Sequence, residues 1–395
     1  SQEEQGVLSA RAQESFSGAR VVKAFAREDA ECARFDVLSR RYVAVNLDLA
    51  KARALFSCLI ESGLAASLAL ILLVGGREVL AGRFTVGGLA AFVAYLNMLV
   101  WPMIALGWVM GLWQRAAASA QRLADIRREV PEIADPARPI VAPPRLKGGV
   151  SFRGLTYRRP GADRDALTDV RLEIPAGTSL GIVGRTGSGK TTLVQFIARL
   201  TEPPPGTVFV DDVDVRDYKL DDLRRAVGFV PQETLLFSDT IRANVAFGLD
   251  DPAPDRIEDA VRRSCLDEAV ADFKEGLDAV VGERGVTLSG GQRQRTAIAR
   301  ALAIDPAILV LDDALSAVDA ETEERILGRL SDVLRTRTSI VVSHRASAVA
   351  RLDRVAVMEE GRLVEYGPPA ELAERGGRFA ELVKLQRVEE ELEAL

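Results

Sequence analysis

The sequence predicts a multidomain chain in which an α-helical membrane domain precedes an α/β domain. Residues 55–76 and 86–113 are long apolar stretches, whereas from residue 150 onward short apolar runs alternate with helical patterns. Between them, residues 131–149 are rich in proline and glycine, a composition typical of loops and linkers. We therefore predict a membrane domain over residues 1–130, a linker, and a second domain over residues 150–395.

The two apolar stretches are each long enough to span a hydrocarbon core of about 30 Å. The first holds one ionisable residue, Glu61, and the second holds none. The turn at 77–85 carries two arginines, but the outer flanks are more basic, which places both flanks in the cytoplasm. A pair of buried core helices in a soluble protein is the alternative interpretation. The basic flanking residues are Arg40, Arg41, Lys51, Arg53, Arg115, Arg122, Arg127 and Arg128.

Four runs in the second domain are candidate strands: 170–174 (VRLEI), 179–183 (SLGIV), 307–311 (AILVL) and 339–343 (SIVVS). Near-continuous apolar strands separated by helices favour a mostly parallel sheet that is covered on both faces. We therefore expect an α/β fold in this domain.

Composition excludes several classes of function. The net charge of -6 over 395 residues gives no reason to expect nucleic-acid binding. Cys32, Cys58 and Cys265 are far apart, and His344 is the single histidine, so neither a disulfide framework nor a Cys/His zinc site is expected. The sequence opens in a polar segment without a start methionine, and we expect it to be a fragment of a longer protein.

A phosphate-binding motif stands at residues 184–191 (GRTGSGKT), directly after one predicted strand and before a predicted helix. It fits G-x-x-x-x-G-K-[ST], in which backbone N–H groups cradle phosphates, Lys190 reaches the β- and γ-phosphates and Thr191 binds Mg²⁺. Asp312 ends a later strand and is a candidate to hold Mg²⁺ through water. The predicted ATP-binding residues here are Gly184, Arg185, Thr186, Gly187, Ser188, Gly189, Lys190, Thr191 and Thr192.

At residues 288–292 the sequence LSGGQ precedes a helical pattern, and here the chain resembles the ATP-binding cassette (ABC) family over about residues 150–375. The resemblance implies an α/β P-loop ATPase cassette with an α-helical subdomain. It also implies a stacking aromatic for adenine at Tyr157, a Mg²⁺-contacting Q-loop at Gln232, a D-loop at Asp319 and a γ-phosphate sensor at His344. The signature residues Ser289, Gly290, Gly291 and Gln292 would contact ATP bound by a second cassette.

The first third resembles the exporter branch of the same family. Residues 10–35 look like the cytoplasmic loop that holds a coupling helix, and the apolar stretches look like two membrane helices of an expected six. Glu283, in the GERG segment, is typical of exporters. A soluble ABC ATPase and an ATP-gated channel are the rival interpretations.

Where the family normally places the catalytic glutamate, this sequence has Asp313. Its carboxylate is one methylene shorter, so it retreats about 1.5 Å from the attacking water, and a misplacement near 1 Å can cost about a hundredfold in rate. The run DDALSAVD and the SHR at 343–345 resemble one subunit of bacterial heterodimeric multidrug exporters, in which one ATP site is degenerate. A homodimer with slow hydrolysis is the alternative.

The sequence therefore predicts one subunit of an exporter in the cytoplasmic membrane, with its cassette facing the cytosol. Its expected ligands are ATP and Mg²⁺, and its expected partners are a second half-transporter, the bilayer and a small lipophilic or amphipathic substrate. Asp313, His344 and Gln232 are the candidate catalytic residues, and Thr191, Gln232 and Asp312 are the candidate Mg²⁺ ligands.

Overall fold

The computed structural model describes residues 2–143, 145–271, 273–282, 288–317 and 320–393. The chain divides into two compact units, Ser1–Glu129 and Val130–Leu395. The predicted residues Asp319 and Glu283 lie outside the described part of the chain.

The first unit is α-helical. Gly18 separates two short helices, and Thr85 caps the last one by accepting a hydrogen bond from the Gly88 amide at 3.0 Å. The helices are α1 (Gln2–Ser17), α2 (Ala19–Ala24), α3 (Glu28–Leu80) and α4 (Val86–Arg128).

Two of these helices, α3 and α4, are long and apolar enough to cross a membrane, and their most apolar windows contain no buried residue. With 53 residues, α3 is about 80 Å long, so it extends well beyond a hydrocarbon core of about 30 Å. Large apolar side chains such as Leu73, Trp101 and Trp113 are exposed along both helices. Apolar surface on this scale requires a cover of lipid or of other protein.

The second unit contains ten described strands in two sheets. A six-stranded sheet has the order β10-β9-β3-β8-β7-β6, and a four-stranded sheet has the order β2-β1-β4-β5. The strands are β1 (Val150–Tyr157), β2 (Leu167–Ile174), β3 (Ser179–Val183), β4 (Val208–Val210), β5 (Val213–Asp214), β6 (Val227–Val230), β7 (Ile308–Asp312), β8 (Thr338–Val342), β9 (Arg354–Glu359) and β10 (Arg362–Gly367).

All neighbours from β9 to β6 in the large sheet are parallel, and β10 joins its edge antiparallel. The small sheet is antiparallel. The helices of this unit are α5 (Lys190–Gln195), α6 (Leu220–Arg225), α7 (Ile241–Ala246), α8 (Pro254–Arg263), α9 (Leu266–Val270), α10 (Gly290–Ala303), α11 (Ala320–Thr336), α12 (Ala346–Val349), α13 (Pro369–Glu374) and α14 (Arg378–Glu393), with a 3-10 turn at Gly276–Asp278.

The large sheet separates two apolar cores. Leu309 and Leu311 on β7 pack with the helices α7, α8, α10 and α11, whereas Ile308 and Val310 pack with α5 and the small sheet. Since side chains alternate between the faces of a strand, one buried strand serves both cores. The helical first unit with two membrane-length helices, and the parallel sheet covered by helices in the second unit, agree with the predicted fold class.

The predicted strand at 170–174 is present, but it does not belong to the parallel sheet. It lies in β2 of the antiparallel sheet, because Val170, Leu172 and Ile174 are buried while Arg171 and Glu173 between them are exposed. This alternation is typical of a strand with one solvated face rather than of a fully buried parallel strand.

Several residues of segment 131–149 are hydrogen-bonded to the rest of the second unit. The amide of Ile140 donates to the carbonyl of Asp217 at 2.7 Å, and the amide of Lys219 donates back to Ile140 at 2.9 Å. Asp211 accepts three successive amides, from residues 147–149. The segment therefore belongs to the compact unit that begins at Val130.

Candidate functional site

Parallel strands bring the predicted site residues to one edge of the large sheet. Because β3, β8, β7 and β6 are neighbours in that order and run the same way, the residues that follow their carboxyl ends meet. They surround a cavity of about 360 Å³. Its lining includes the predicted residues Thr186, Gly187, Gly189, Lys190, Thr191, Thr192, Gln232, Asp312, Asp313 and His344.

The turn between β3 and α5 requires glycine at two points. Gly184 has φ 151°, and a Cβ there would lie 2.2 Å from the carbonyl oxygen of Met358. Gly189 has φ 96°, and its Cβ would lie 2.7 Å from the carbonyl oxygen of Ala166. The backbone can therefore take this path only without side chains at these positions. Arg185 and Ser188 belong to the same turn, where Ser188 Oγ is buried and has no partner among the described residues.

Lys190 places a buried ammonium group inside this turn. Its Nζ donates to the carbonyl oxygens of Gly184 at 2.7 Å and Arg185 at 3.0 Å. Burial lowers the pKa of Lys190, and the nearby carboxylates of Asp313 and Asp312 oppose that shift. A cation held within a glycine turn is suited to bind a polyphosphate, because the loop already fixes its position.

Thr191 and Asp312 form the oxygen-rich side of the cavity. Thr191 Oγ1 donates to Asp312 Oδ1 at 3.1 Å, and Asp312 is only 1% exposed at the end of β7. Burial raises the pKa of Asp312, Asp313 raises it further, and the Thr191 hydroxyl and Lys190 lower it. A hydroxyl and a carboxylate at this separation fit the hard oxygen ligands that Mg²⁺ prefers, so the residues present are compatible with a bound Mg²⁺.

Asp313 faces the cavity beside Asp312. Its carboxylate accepts a hydrogen bond from the Gln232 amide at 3.3 Å, and its backbone N–H donates to Val342 at 3.0 Å. Its φ of 50° lies in the left-handed region, which aspartate tolerates better than most residues. His344 is exposed at the end of β8 and lines the same cavity.

Tyr157 lies apart from the described lining of this cavity. Its ring is half-buried and packs edge-on against Phe196, with ring centroids 5.0 Å apart. Two lining residues that the sequence analysis missed, Arg159 and Arg164, follow Tyr157 in the loop between β1 and β2. Arg159 donates to Thr192 Oγ1 at 2.7 Å. The sequence signal that could have revealed them is the arginine-rich run at 158–164.

The signature residues form a preset helix start, away from the cavity around Lys190. Ser289 Oγ accepts from the Gln292 amide at 3.2 Å, and Gln292 Oε1 accepts from the Ser289 amide at 2.9 Å. Gln292 Nε2 also donates to Ala269 at 3.2 Å. Gly290 and Gly291 occupy the first turn of α10. This reciprocal pair is a capping box, and it leaves the Ser289 side chain exposed at the helix start.

Comparisons with known proteins agree with this architecture. Residues 167–316 match the family model described as ABC transporter, and residues 1–103 match the ABC transporter transmembrane region. The solved structure of a bacterial Atm1-family ABC exporter with ATP bound superposes with a TM-score of 0.87 at 32% identity, over 97% of this chain and 67% of that one. The chain belongs to the ABC transporter family, with a transmembrane region followed by an ABC-type ATPase domain.

Curated relatives extend the same similarity. The chain is 35% identical to an uncharacterized ABC transporter ATP-binding protein, YknU, of Bacillus subtilis, over 96% of this chain and 65% of the relative. It is 37% identical to an ATP-dependent lipid A-core flippase of Bordetella avium, over 94% of this chain and 63% of the relative. A multidrug efflux ATP-binding/permease protein of Mycobacterium tuberculosis is 37% identical over 97% of this chain and 32% of its own length. The chain therefore spans less than two thirds of these relatives.

Proposed function

We propose that this chain is part of one subunit of a two-subunit ABC exporter, which binds MgATP and uses it to move a lipophilic or amphipathic substrate across the cytoplasmic membrane. The observation that carries the proposal is the meeting of Lys190, Thr191 and Asp312 in one cavity, in a chain with two membrane-length helices. The similarity to exporters over nearly the whole chain supports it.

In this proposal the P-loop residues bind the phosphates of ATP. The backbone of the glycine turn surrounds them, and Lys190 exchanges its hydrogen bonds to Gly184 and Arg185 for charge-assisted bonds to phosphate oxygens. Thr191, Asp312 and the Gln232 side chain would hold Mg²⁺, which would neutralise phosphate charge. Arg159 and Arg164 add positive charge to the cavity, with Arg159 beside Thr192. The adenine would extend toward Tyr157.

Asp313 and His344 both line the cavity. By resemblance to the family, Asp313 would act as the general base and His344 would contact the γ-phosphate. The aspartate carboxylate falls about 1.5 Å short of where a glutamate would reach, which is a severe displacement for a base that must hydrogen-bond the attacking water. We infer that this site binds MgATP but hydrolyses it slowly.

A second half-transporter supplies the other cassette in this proposal, and a heterodimer fits the sequence best. The partner would contribute a catalytic glutamate in its own site, while Ser289 and its neighbours at the start of α10 would contact the ATP bound there. Asp319, in the D-loop by resemblance, would lie at the same interface. Closure of two cassettes around nucleotide is the kind of two-state element that can drive the membrane helices.

The substrate class rests on the relatives' names and on the exposed apolar helices. Named relatives include lipid A-core flippases and multidrug efflux proteins. The loop at 10–35, with α2 at Ala19–Ala24, would transmit cassette movement to α3 and α4. The soluble-ATPase alternative leaves the match of residues 1–103 to a transmembrane region without a role.

The test is ATP-dependent transport by the complete assembly in proteoliposomes. A lipophilic fluorescent cation and a labelled lipid are the two probes, and substrate-stimulated ATPase activity is measured in parallel. Lys190→Ala should lower nucleotide affinity at this site by at least about 100-fold, since it removes charge-assisted bonds to phosphate. Lys147→Ala, which removes an exposed lysine outside this cavity, is the matched control. A chain that binds no nucleotide would refute the proposal.

The identity of the partner is decided by co-purification from native membranes. Recovery of a different half-transporter with a glutamate after its strand-end aspartate supports the heterodimer. Recovery of two copies of the same chain supports the homodimer with slow hydrolysis. A nucleotide-gated ion conductance without substrate accumulation would favour a channel over an exporter.

A further inference from the structure

An ion pair lies directly behind the nucleotide cavity. Glu323, on α11, is only 6% exposed, and the guanidinium of Arg345 hydrogen-bonds its carboxylate. Arg345 follows His344 in the chain. A small cavity of about 100 Å³ is lined jointly by Asp313, His344, Glu323 and Arg345. The pair therefore contacts the same space as the two residues that face the γ-phosphate in the proposed function.

Glu323 depends on Arg345 to stay ionised in its buried environment. Burial raises the pKa of Glu323, Arg345 opposes that shift, and the neighbouring Asp313 carboxylate raises the pKa further. Arg345 is itself held in place, because its backbone N–H donates to Ser343 Oγ at 3.0 Å at the start of α12. The ion pair thus fixes the turn from β8 to α12 against α11.

Stability alone is a poor explanation for such a pair. Taking a carboxylate out of water costs free energy that its ion partner only partly offsets, and an apolar pair of similar volume often serves stability as well or better. A neighbouring pair, Glu324 on α11 with Arg351 after α12, is exposed on both sides and carries no such cost. The buried pair, unlike the exposed one, lines the small cavity that it shares with Asp313 and His344.

We propose that Glu323 and Arg345 are positioning residues for His344, which hold the turn after β8 so that the histidine faces the γ-phosphate beside Asp313. This inference rests on the proposed function, since it assumes a nucleotide at Lys190. Neither residue of the pair lines the larger cavity, so both act through their neighbours. The site consequently distinguishes ATP from ADP through an element that never touches the nucleotide.

The test compares two ligands on the complete chain in detergent by calorimetry: the Mg²⁺ complexes of ADP and of a non-hydrolysable ATP analogue. Glu323→Gln should reduce the affinity ratio between the analogue and ADP by about tenfold, the effect of losing one charge-assisted contact. ADP affinity should stay within about twofold, because the P-loop is unchanged. Glu324→Gln is the matched control and should leave both affinities unchanged.

Two further variants separate positioning from stability. The double variant Glu323→Leu/Arg345→Leu replaces the ion pair with an apolar pair. It should unfold at the wild-type temperature but show the reduced affinity ratio between the ATP analogue and ADP. In a His344→Ala background, Glu323→Gln should add nothing, because the two changes remove one effect.

The positioning role would be overturned if Glu323→Gln weakened both ligands equally, or if the apolar pair kept the wild-type affinity ratio. Either result would leave the proposed function intact. Absence of any nucleotide binding by the wild type would instead refute the proposed function.

Discussion

The side-chain amide of Gln232 donates to Asp313 Oδ2 across 3.3 Å, so the segments after β6 and β7 are linked at the nucleotide cavity. The contact holds the short carboxylate toward Gln232. A glutamate at the same position would carry its carboxylate about 1.5 Å further into the cavity, where a water attacking the γ-phosphate must be polarised.

Asp313→Glu should therefore speed hydrolysis at this site. The expected gain is about 10- to 100-fold, the effect of restoring about 1 Å of reach to a general base. The measurement is single-turnover hydrolysis by the full assembly, with the partner's site inactivated. Asp313→Asn is the control of equal size, and a glutamate variant no faster than this asparagine variant would count against a degenerate site.

The same substitution should have a stability cost. Asp313 has φ 50°, and the left-handed region costs most side chains about 1 kcal/mol, with aspartate among the better tolerated. Asp313→Glu should lower the unfolding temperature of the second unit by about 2–4 °C. Differential scanning calorimetry without nucleotide checks this, and Asp313→Gly, which has no such strain, should not share the local backbone penalty.

Asp312→Asn should stabilise the nucleotide-free chain while it weakens Mg²⁺-dependent nucleotide binding. The folded-state pKa of Asp312 is raised by burial, so its ionised form destabilises the fold above that pKa, and this penalty is absent below about 3.8. Asparagine still accepts from Thr191 without the charge. The expected rise is about 2–4 °C at neutral pH, shrinking as the pH falls.

Asp353→Asn is the matched control, and it should change the unfolding temperature in the opposite direction. Asp353 accepts from the Ser179 amide at 2.8 Å and its hydroxyl at 2.7 Å, and these bonds lower its pKa. Its ionised form therefore stabilises the fold above about 3.8, and this contribution is lost as the pH falls through the lowered folded-state pKa. Asp353→Asn should lower the unfolding temperature at neutral pH. A shift of the same sign in both variants would contradict the assignment of Asp312.

Gly184→Ala should be far more damaging than Gly187→Ala. Both glycines have positive φ, but a Cβ on Gly184 would meet the Met358 carbonyl at 2.2 Å, whereas nothing lies within 4 Å of one on Gly187. We expect a loss of about 3 kcal/mol or more for the first and about 1 kcal/mol for the second. Urea unfolding monitored by circular dichroism measures both, and equal losses would show that the close contact has no energetic weight.

Residues 1–129 should account for the need for detergent. Large apolar side chains are exposed along most of α3 and α4, whereas those described in the second unit are mostly buried between its sheets and helices. The complete chain should sediment with membranes, and a chain that begins at Val130 should stay in the supernatant. A complete chain that remains monodisperse without detergent would contradict the membrane assignment.

The sequence predicted those parts of the site that depend on strand ends. Lys190, Asp312 and His344 each follow an apolar run, and a parallel sheet necessarily places such positions at one edge. Residues that reach the cavity from elsewhere were not predictable in this way. Arg159 comes from a loop beside the antiparallel sheet, and Glu323 lies on a helix whose packing only the tertiary structure defines.

The sequence also did not determine the burial and the hydrogen bonding of individual residues. The run in β2 alternates between buried and exposed side chains, unlike the other three predicted strands, and it lies in the antiparallel sheet. Gln292 resembles a nucleotide contact by its place in LSGGQ, yet both ends of its amide are engaged within the chain. Local capping hydrogen bonds can engage such polar side chains, and hydrophobic periodicity in the sequence does not reveal these bonds.

In the proposed dimer, the capping box at Ser289 bears on how quickly two cassettes would engage. Ser289 and Gln292 already hydrogen-bond each other, so this helix start is formed before any second molecule arrives. An encounter then freezes few rotamers, each of which would otherwise cost about 0.5–1.5 kcal/mol on association. Productive collisions should depend on diffusion and orientation more than on local folding, which favours rapid cycles of joining and separation.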